Sequence, residues 1–205
     1  MNQEMRIVES AKTLYIIAGA NGSGKSTLAT KLLPAKNLST FINADEIARE
    51  LSPEDLTAVR VAAGKKALQT LASLIANGES FAIESTLSGN TLVKTIRQAK
   101  ERGYQIVLIY AFLPTPQMCI DRIRVRVKRG GHFVPDEDVI RRYARSIQHF
   151  WHRYKALADQ WDLYYNGRLS DCGDACYVCV ARSREDRIDI LDKDLYDLFL
   201  QMVMK

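Results

Sequence analysis

Gly19-Ala20-Asn21-Gly22-Ser23-Gly24-Lys25-Ser26-Thr27 is the stretch on which the reading of this chain turns. It fits G-x-x-x-x-G-K-[S/T], the pattern of a phosphate-binding P-loop. Thr13-Leu14-Tyr15-Ile16-Ile17-Ala18 precedes it, an apolar, β-rich run of the length of a buried parallel strand. The helix formers Ser26 to Leu33 follow, stopped by Pro34. Strand, glycine loop and helix together aim backbone N–H groups and the positive helix end at a phosphate chain. A chance match in a flexible loop is the bland alternative, and the two correct flanks set it aside. Gly19 to Thr27 therefore form the candidate nucleotide site. Lys25 reaches the β- and γ-phosphates of ATP or GTP, and the Ser26 hydroxyl ligates Mg²⁺.

Outward from the loop, strands and helices alternate. Ser39 to Asn43 reads as a second strand ending at Ala44-Asp45-Glu46. Ser52-Pro53-Glu54-Asp55 reads as a helix start, followed by a stripe of Leu56, Val59, Ala63, Ala67, Leu71, Leu74 and Ile75 and a stop at Asn77-Gly78. Phe81-Ala82-Ile83 opens a third strand, and a helix through Leu92, Ile96 and Ala99 ends at Gly103. Gln105 to Leu113, the longest apolar run, reads as a fully buried strand closed by Pro114 and Pro116. A basic helix to about Arg129, the loop Gly130-Gly131-His132-Phe133-Val134-Pro135 and an amphipathic helix follow. The face of that second helix carries Val139, Ile140, Tyr143, Ile147, Phe150, Trp151 and Tyr154. Trp161 to Asn166 is a fifth strand, with a strand near Tyr177 to Ala181 and a helix near Ile190 to Met202 completing the chain. The alternation predicts one α/β domain over residues 1–205. Its expected form is a P-loop NTPase-type three-layer fold with a mostly parallel central sheet and a helical, arginine-rich lid.

Composition narrows the function classes. No stretch approaches the roughly 18 apolar residues of a membrane span, and Met1 to Arg6 lacks a signal-peptide core, so a cytoplasmic protein without membrane contact is expected. Net charge is +5, yet Asp121 to Lys155 holds ten Lys/Arg against four acids, so the basic excess is local. Local positive charge suits phosphorylated ligands, while a solvated helix face accounts for part of it. Cys172, Cys176 and Cys179 lack a fourth ligand and do not make a zinc site; Cys179 reads as a small apolar strand residue.

Ligands of parallel sheets bind at the carboxyl ends of the strands. Asp45 ends the second strand and Glu84 the third, whereas the long strand to Leu113 ends without an acid. A hydrolysing ATPase is thus not the obvious reading. A small kinase, with an acid near the P-loop to take the proton of an acceptor hydroxyl, fits better. Asp45 is the candidate base, with a helix cap as its structural alternative. Glu84 is the candidate for Mg²⁺, directly or through water, or for holding the acceptor; a salt bridge at the sheet edge is its structural alternative. The basic helices and glycine loop read as a lid in which Arg126 and Arg142 act on the moving phosphoryl group, with Arg122 and Arg129 as competitors. His132, a lone lid histidine, reads as structural.

Five motifs in order carry a family resemblance. They are Gly19 to Thr27, Asn43-Ala44-Asp45-Glu46-Ile47-Ala48, Glu84-Ser85-Thr86-Leu87-Ser88-Gly89, Gly130-Gly131-His132 with Val134-Pro135, and Ile140-Arg141-Arg142-Tyr143. Together, over about residues 12–166, they resemble the zeta toxin family of P-loop kinases. The best known members phosphorylate UDP-N-acetylglucosamine. The resemblance implies that Lys25 holds the phosphates, Asp45 takes the base position and Glu84 the acidic position. It also implies a UDP-sugar as the phosphorylated acceptor and an antitoxin partner encoded separately. The lid motif here differs from that of the well-studied toxins, and the tail from Asp171 to Cys179 has no counterpart. A polynucleotide 5′-hydroxyl kinase and a nucleotide-dependent switch remain the alternatives. Nucleic acid is disfavoured because Phe150, Trp151 and Tyr154 read as core, and a pure switch would not need Asp45 and Glu84.

Overall fold

A computed structural model describes residues 12–205 except 37, 39, 53–55, 170–174 and 186. The strand before the P-loop is β1 (Thr13–Ala18), an interior strand of a seven-stranded sheet. Its neighbours are β3 (Phe81–Ser85) and β4 (Gln105–Phe112), both parallel to it, with β2 (Phe41–Ile42) beyond β3. β5 (Gln160–Leu169) runs parallel to β4, and then the direction changes. β6 (Ala175–Arg184) and β7 (Arg187–Ile190) are antiparallel, giving the order β2-β3-β1-β4-β5-β6-β7. The mostly parallel α/β sheet expected from the alternation is present. β7, whose Arg-Ile-Asp-Ile alternates polar and apolar residues but spans only four of them, is an added edge strand just before the predicted last helix.

Side-chain alternation sorts the central strands onto two cores. Leu14, Ile16 and Ala18 of β1 and Ile106, Leu108, Tyr110 and Phe112 of β4 face one cluster. Covering that face are α3 (Leu56–Asn77), α4 (Thr91–Glu101), α6 (Asp136–His149) and the C-terminal α7 (Lys193–Val203). Ile17, Val107, Ile109 and Ala111 face the opposite side, under Leu28 and Ala29 of α1 (Lys25–Leu32). Both β1 and β4 are covered on both faces, which is why they read as continuous apolar runs.

A third cluster joins the sheet to the lid. Cys119, Ile120 and Ile123 of α5 (Pro116–Lys128), Val139 of α6 and Val134 between them pack on Ala20 and Leu113. Thr115 caps α5 by accepting from the Met118 N–H, and Pro116 opens the helix.

Three local readings are refined. Ser52 ends α2 (Ala44–Leu51), its N–H bonded to the Ala48 carbonyl, and Pro53-Glu54-Asp55, the rest of the expected helix start, lie outside the described residues. Ile140 is exposed because it is one residue, about 100°, away from Val139, which takes the buried face. The core stripe of α6 continues into a π-helical turn, Phe150–Tyr154, that carries Phe150 and Tyr154 inward. Cys172 lies outside the described residues. Cys176 is exposed and Cys179 half-buried on the same strand. Among the described residues no helix is long and apolar enough to cross a membrane.

Candidate active site

The P-loop leaves β1 and feeds directly into α1. Gly24 occupies the cap position with φ +93°, a left-handed conformation that disfavours a side chain. No side chain caps α1, so its first N–H groups are left to a ligand. The loop has no room to spread: a Cβ on Gly19 would strike the Ala111 carbonyl, and one on Gly22 the Cys119 carbonyl. Burial pushes the Cys119 thiol up to about 12, so it serves as a small packed residue under the loop. Ser23 Oγ and Asn166 Oδ1 are buried without a hydrogen-bond partner among the described residues. A tight loop with open N–H groups and an unpaired buried hydroxyl fits a phosphate chain.

Glu84 ties three segments together at the end of β3. Its carboxylate accepts from Ser26 Oγ at 2.8 Å and from Asn43 Nδ2 at 3.3 Å, and lies 3.6 Å from Lys25 Nζ. Lys25 itself is 6% exposed and donates to the Ala20 carbonyl at 3.0 Å. β3 lies between β2 and β1, so Glu84 is not at a sheet edge. Asn43 caps α2, its Oδ1 accepting from the Asp45 N–H at 2.9 Å. The cap role considered for Asp45 therefore belongs to Asn43. Asp45 sits in the first turn, where the helix dipole favours a carboxylate, and its side chain is exposed to the cavity.

That cavity measures about 1140 Å³. Asn21, Lys25, Asp45, Arg49, Glu84 and Thr86 line it, together with Gly130 to Pro135, Asp138 and Arg142. Beside the P-loop, Ser26 Oγ and the Glu84 carboxylate present hard oxygen donors 2.8 Å apart. Mg²⁺ in nucleotide sites takes one or two protein oxygens and completes its shell with phosphates and water, so this donor pair fits it. Among the described residues no group of three His, Cys, Asp or Glu is disposed to hold a metal by itself.

The lid arginines separate by position. Arg142, 11% exposed, lines the cavity, with Nη2 2.7 Å from Asp138 Oδ2 and Nη1 donating to Asn21 Oδ1 at 3.4 Å. Arg126 does not line it: its guanidinium donates to the His132 carbonyl at 2.7 Å and its methylenes pack against Gly131, bracing the lid loop. Arg122 donates to the Asn166 carbonyl, and Arg129 ends α5 in solvent. Arg124 and Arg141 are paired with Asp136 and Asp138, so part of the local positive charge is spent within the lid.

The loop after Glu84 carries backbone strain. Leu87 has φ +51° although it is not glycine, and it is fully buried. The end of α6 and its π-turn hold it there. His149 Nδ1 lies 2.8 Å from the Leu87 carbonyl, Tyr154 Oη donates to the Gly89 carbonyl at 2.7 Å, and Arg153 donates to Asn90.

Of the residues picked from sequence, Lys25, Ser26, Asp45, Glu84 and Arg142 converge, and Arg126 does not. Sequence reasoning missed Asn43 as the Glu84 partner, Asp138 and the P-loop contacts of Asn166 and Tyr177. The i, i+4 spacing of Asp138 and Arg142 was the available signal for one of these. None existed for Asn166 and Tyr177, which are far from the loop in the chain.

Known proteins place this geometry. A family model described as an AAA domain matches residues 14–150. An uncharacterised Haemophilus influenzae protein is 37% identical over 143 residues, 70% of this chain and 99% of its own. A chain of the AvrRxo1-ORF1:-ORF2 complex with ATP superposes at a TM-score of 0.74 and 17% identity, covering 95% of this chain. This chain spans 64% of that protein's length. A chain of the Streptococcus pneumoniae PezAT toxin–antitoxin system superposes at 0.63 and 18% identity, covering 98% of this chain and 87% of that one. These likenesses are of fold alone, an α/β fold with a P-loop. By the family match, which covers residues 14–150, the chain belongs to the AAA domain family.

Proposed function

We propose that the protein is a P-loop phosphotransferase that moves the γ-phosphoryl group of ATP or GTP onto a hydroxyl of a small-molecule acceptor. The sugar nucleotide class of UDP-N-acetylglucosamine is the first candidate. The observation that carries this is Glu84 joined to Lys25 and Ser26, with Asp45 lining the same cavity. A binder needs the lysine and serine alone; Asp45, a second carboxylate lining the cavity beside Glu84's, suits a proton-accepting step.

In this reading the P-loop N–H groups and Lys25 hold the phosphates, and Asp45 accepts the acceptor's proton. Mg²⁺ held by Ser26 and Glu84 would neutralise phosphate charge. Arg142 stabilises charge on the transferring group, and the Gly130–Pro135 loop excludes water. The cavity holds more than a phosphate and a monosaccharide require, in line with a nucleotide-sized acceptor. The five shared motifs and the PezAT likeness extend the reading to a zeta-type toxin with a separately encoded antitoxin.

Phosphorus NMR with Mg²⁺-ATP and UDP-N-acetylglucosamine tests it. A new phosphomonoester resonance, absent with Asp45→Asn, is the expected result. ADP and free phosphate alone would mean hydrolysis and remove the acceptor assignment. Labelling of a 5′-hydroxyl oligonucleotide instead would transfer the protein to the polynucleotide class.

A further inference from the structure

The P-loop touches a part of the chain that lies beyond the family match, which ends at residue 150. Asn166, near the end of β5, is completely buried and donates from Nδ2 to the Ser23 carbonyl at 2.8 Å. Tyr177, facing it on β6, donates from Oη to the Gly24 carbonyl at 2.7 Å. The Tyr177 hydroxyl also interacts with the side chains of Thr27 and Asn166. α5 fixes the hairpin in turn, through Arg122 and the Asn166 carbonyl. The fit is close: a Cβ on Gly24 would collide with Asn166 Nδ2 and Tyr177 Oη.

These two carbonyls matter because a trans peptide is planar, with its C=O and N–H on opposite sides. The Ser23 carbonyl shares a peptide with the Gly24 N–H, and the Gly24 carbonyl, which also accepts the Leu28 N–H of α1 at 3.0 Å, shares one with the Lys25 N–H. Holding both carbonyls toward the hairpin turns both N–H groups the other way, to the open N-terminus of α1. A glycine-rich loop without such partners has several peptide orientations of similar energy, and binding must select one. Asn166 removes that choice for the Ser23–Gly24 peptide, and Tyr177 adds to the helix bond that directs the Gly24–Lys25 peptide.

We propose that the β5–β6 hairpin sets the anion-binding form of the P-loop, with Asn166 and Tyr177 as positioning residues for the nucleotide phosphates. The inference rests on the nucleotide-binding reading of the loop but not on any acceptor.

Titration of the full-length protein with ADP tests it, wild type against Tyr177→Phe, which keeps the ring and removes only the hydroxyl. The expected result is ADP binding about fivefold weaker, as for the loss of one hydrogen bond. In the transfer assay the nucleotide KM should rise while the acceptor KM stays unchanged. Asn166→Asp, which replaces the donor by an acceptor facing a carbonyl, should weaken ADP binding further. A merely structural role would lower the thermal midpoint and leave the ADP affinity of the folded protein intact. Tyr177→Phe binding ADP within twofold of wild type would overturn the inference. Wild-type protein that binds no ADP would remove the nucleotide reading itself.

Discussion

Glu84 shows how one side chain acquires its meaning from three others. Its carboxylate is held between a lysine, a serine and an asparagine, so it is already ordered before a ligand arrives. Asp45 was legible as chemistry because an acid at a strand end in a parallel sheet has few structural uses. Asn43 was not, because its amide becomes relevant only once β2 and β3 lie side by side. The lid arginines divide at this scale too. Arg142 is buried beside Asn21 of the P-loop, whereas Arg126 is committed to the His132 carbonyl. Arg142→Ala should therefore lower kcat by about 10³-fold or more, the range for an arginine acting on a transferring phosphoryl group. Arg126→Ala should act through the loop, raising the acceptor KM with a smaller change in kcat. Steady-state kinetics of the two variants checks this, and equal losses in kcat would return Arg126 to the reacting group.

The elements explain why the site is rigid on one side and open on the other. On the sheet side, β1 and β4 are buried on both faces and carry the P-loop on a packed base. The loop from Ser85 to Asn90 is the strained piece, and the π-turn at Phe150–Tyr154 is what holds it. A π-turn admits one extra residue, which changes the face presented by the helix. That shift carries Tyr154 to the Gly89 carbonyl while Phe150 stacks on Tyr110 with ring centroids 4.2 Å apart. Tyr154→Phe should cost about 1 kcal/mol of stability, one hydrogen bond, with the ring packing kept. Urea unfolding measures this, and faster hydrogen exchange across residues 85–90 should accompany it. Unchanged stability and exchange would show that the strain is held by other contacts. Periodicity made α6 visible, yet it did not reveal the π-turn, because a hydrophobic stripe reads much the same with or without one inserted residue.

At the scale of the whole molecule, the segment after residue 155 completes both the core and the site. Phe199 of α7 packs edge-on against Tyr110, Phe112 and Phe150, and β5 pairs along most of β4. A chain ending at Lys155 would expose the edge of β4 and the apolar face that Leu163, Val180 and Phe199 now cover. Such a truncation should lose its near-ultraviolet circular dichroism and its ADP binding together. A truncated protein that folds cooperatively and binds ADP would show that the family-matched region suffices. By itself the sequence determined the P-loop, the parallel α/β alternation, the two strand-end acids and the lid, because these are written in contiguous residues with local backbone rules. Only the tertiary structure decided which arginine enters the cavity, which asparagine holds Glu84, and that Asn166 and Tyr177 brace Ser23 and Gly24. The physical reason is that those relations are hydrogen bonds between strands and helices distant in the chain. Their partners are chosen by sheet order and side-chain direction, which no local pattern records.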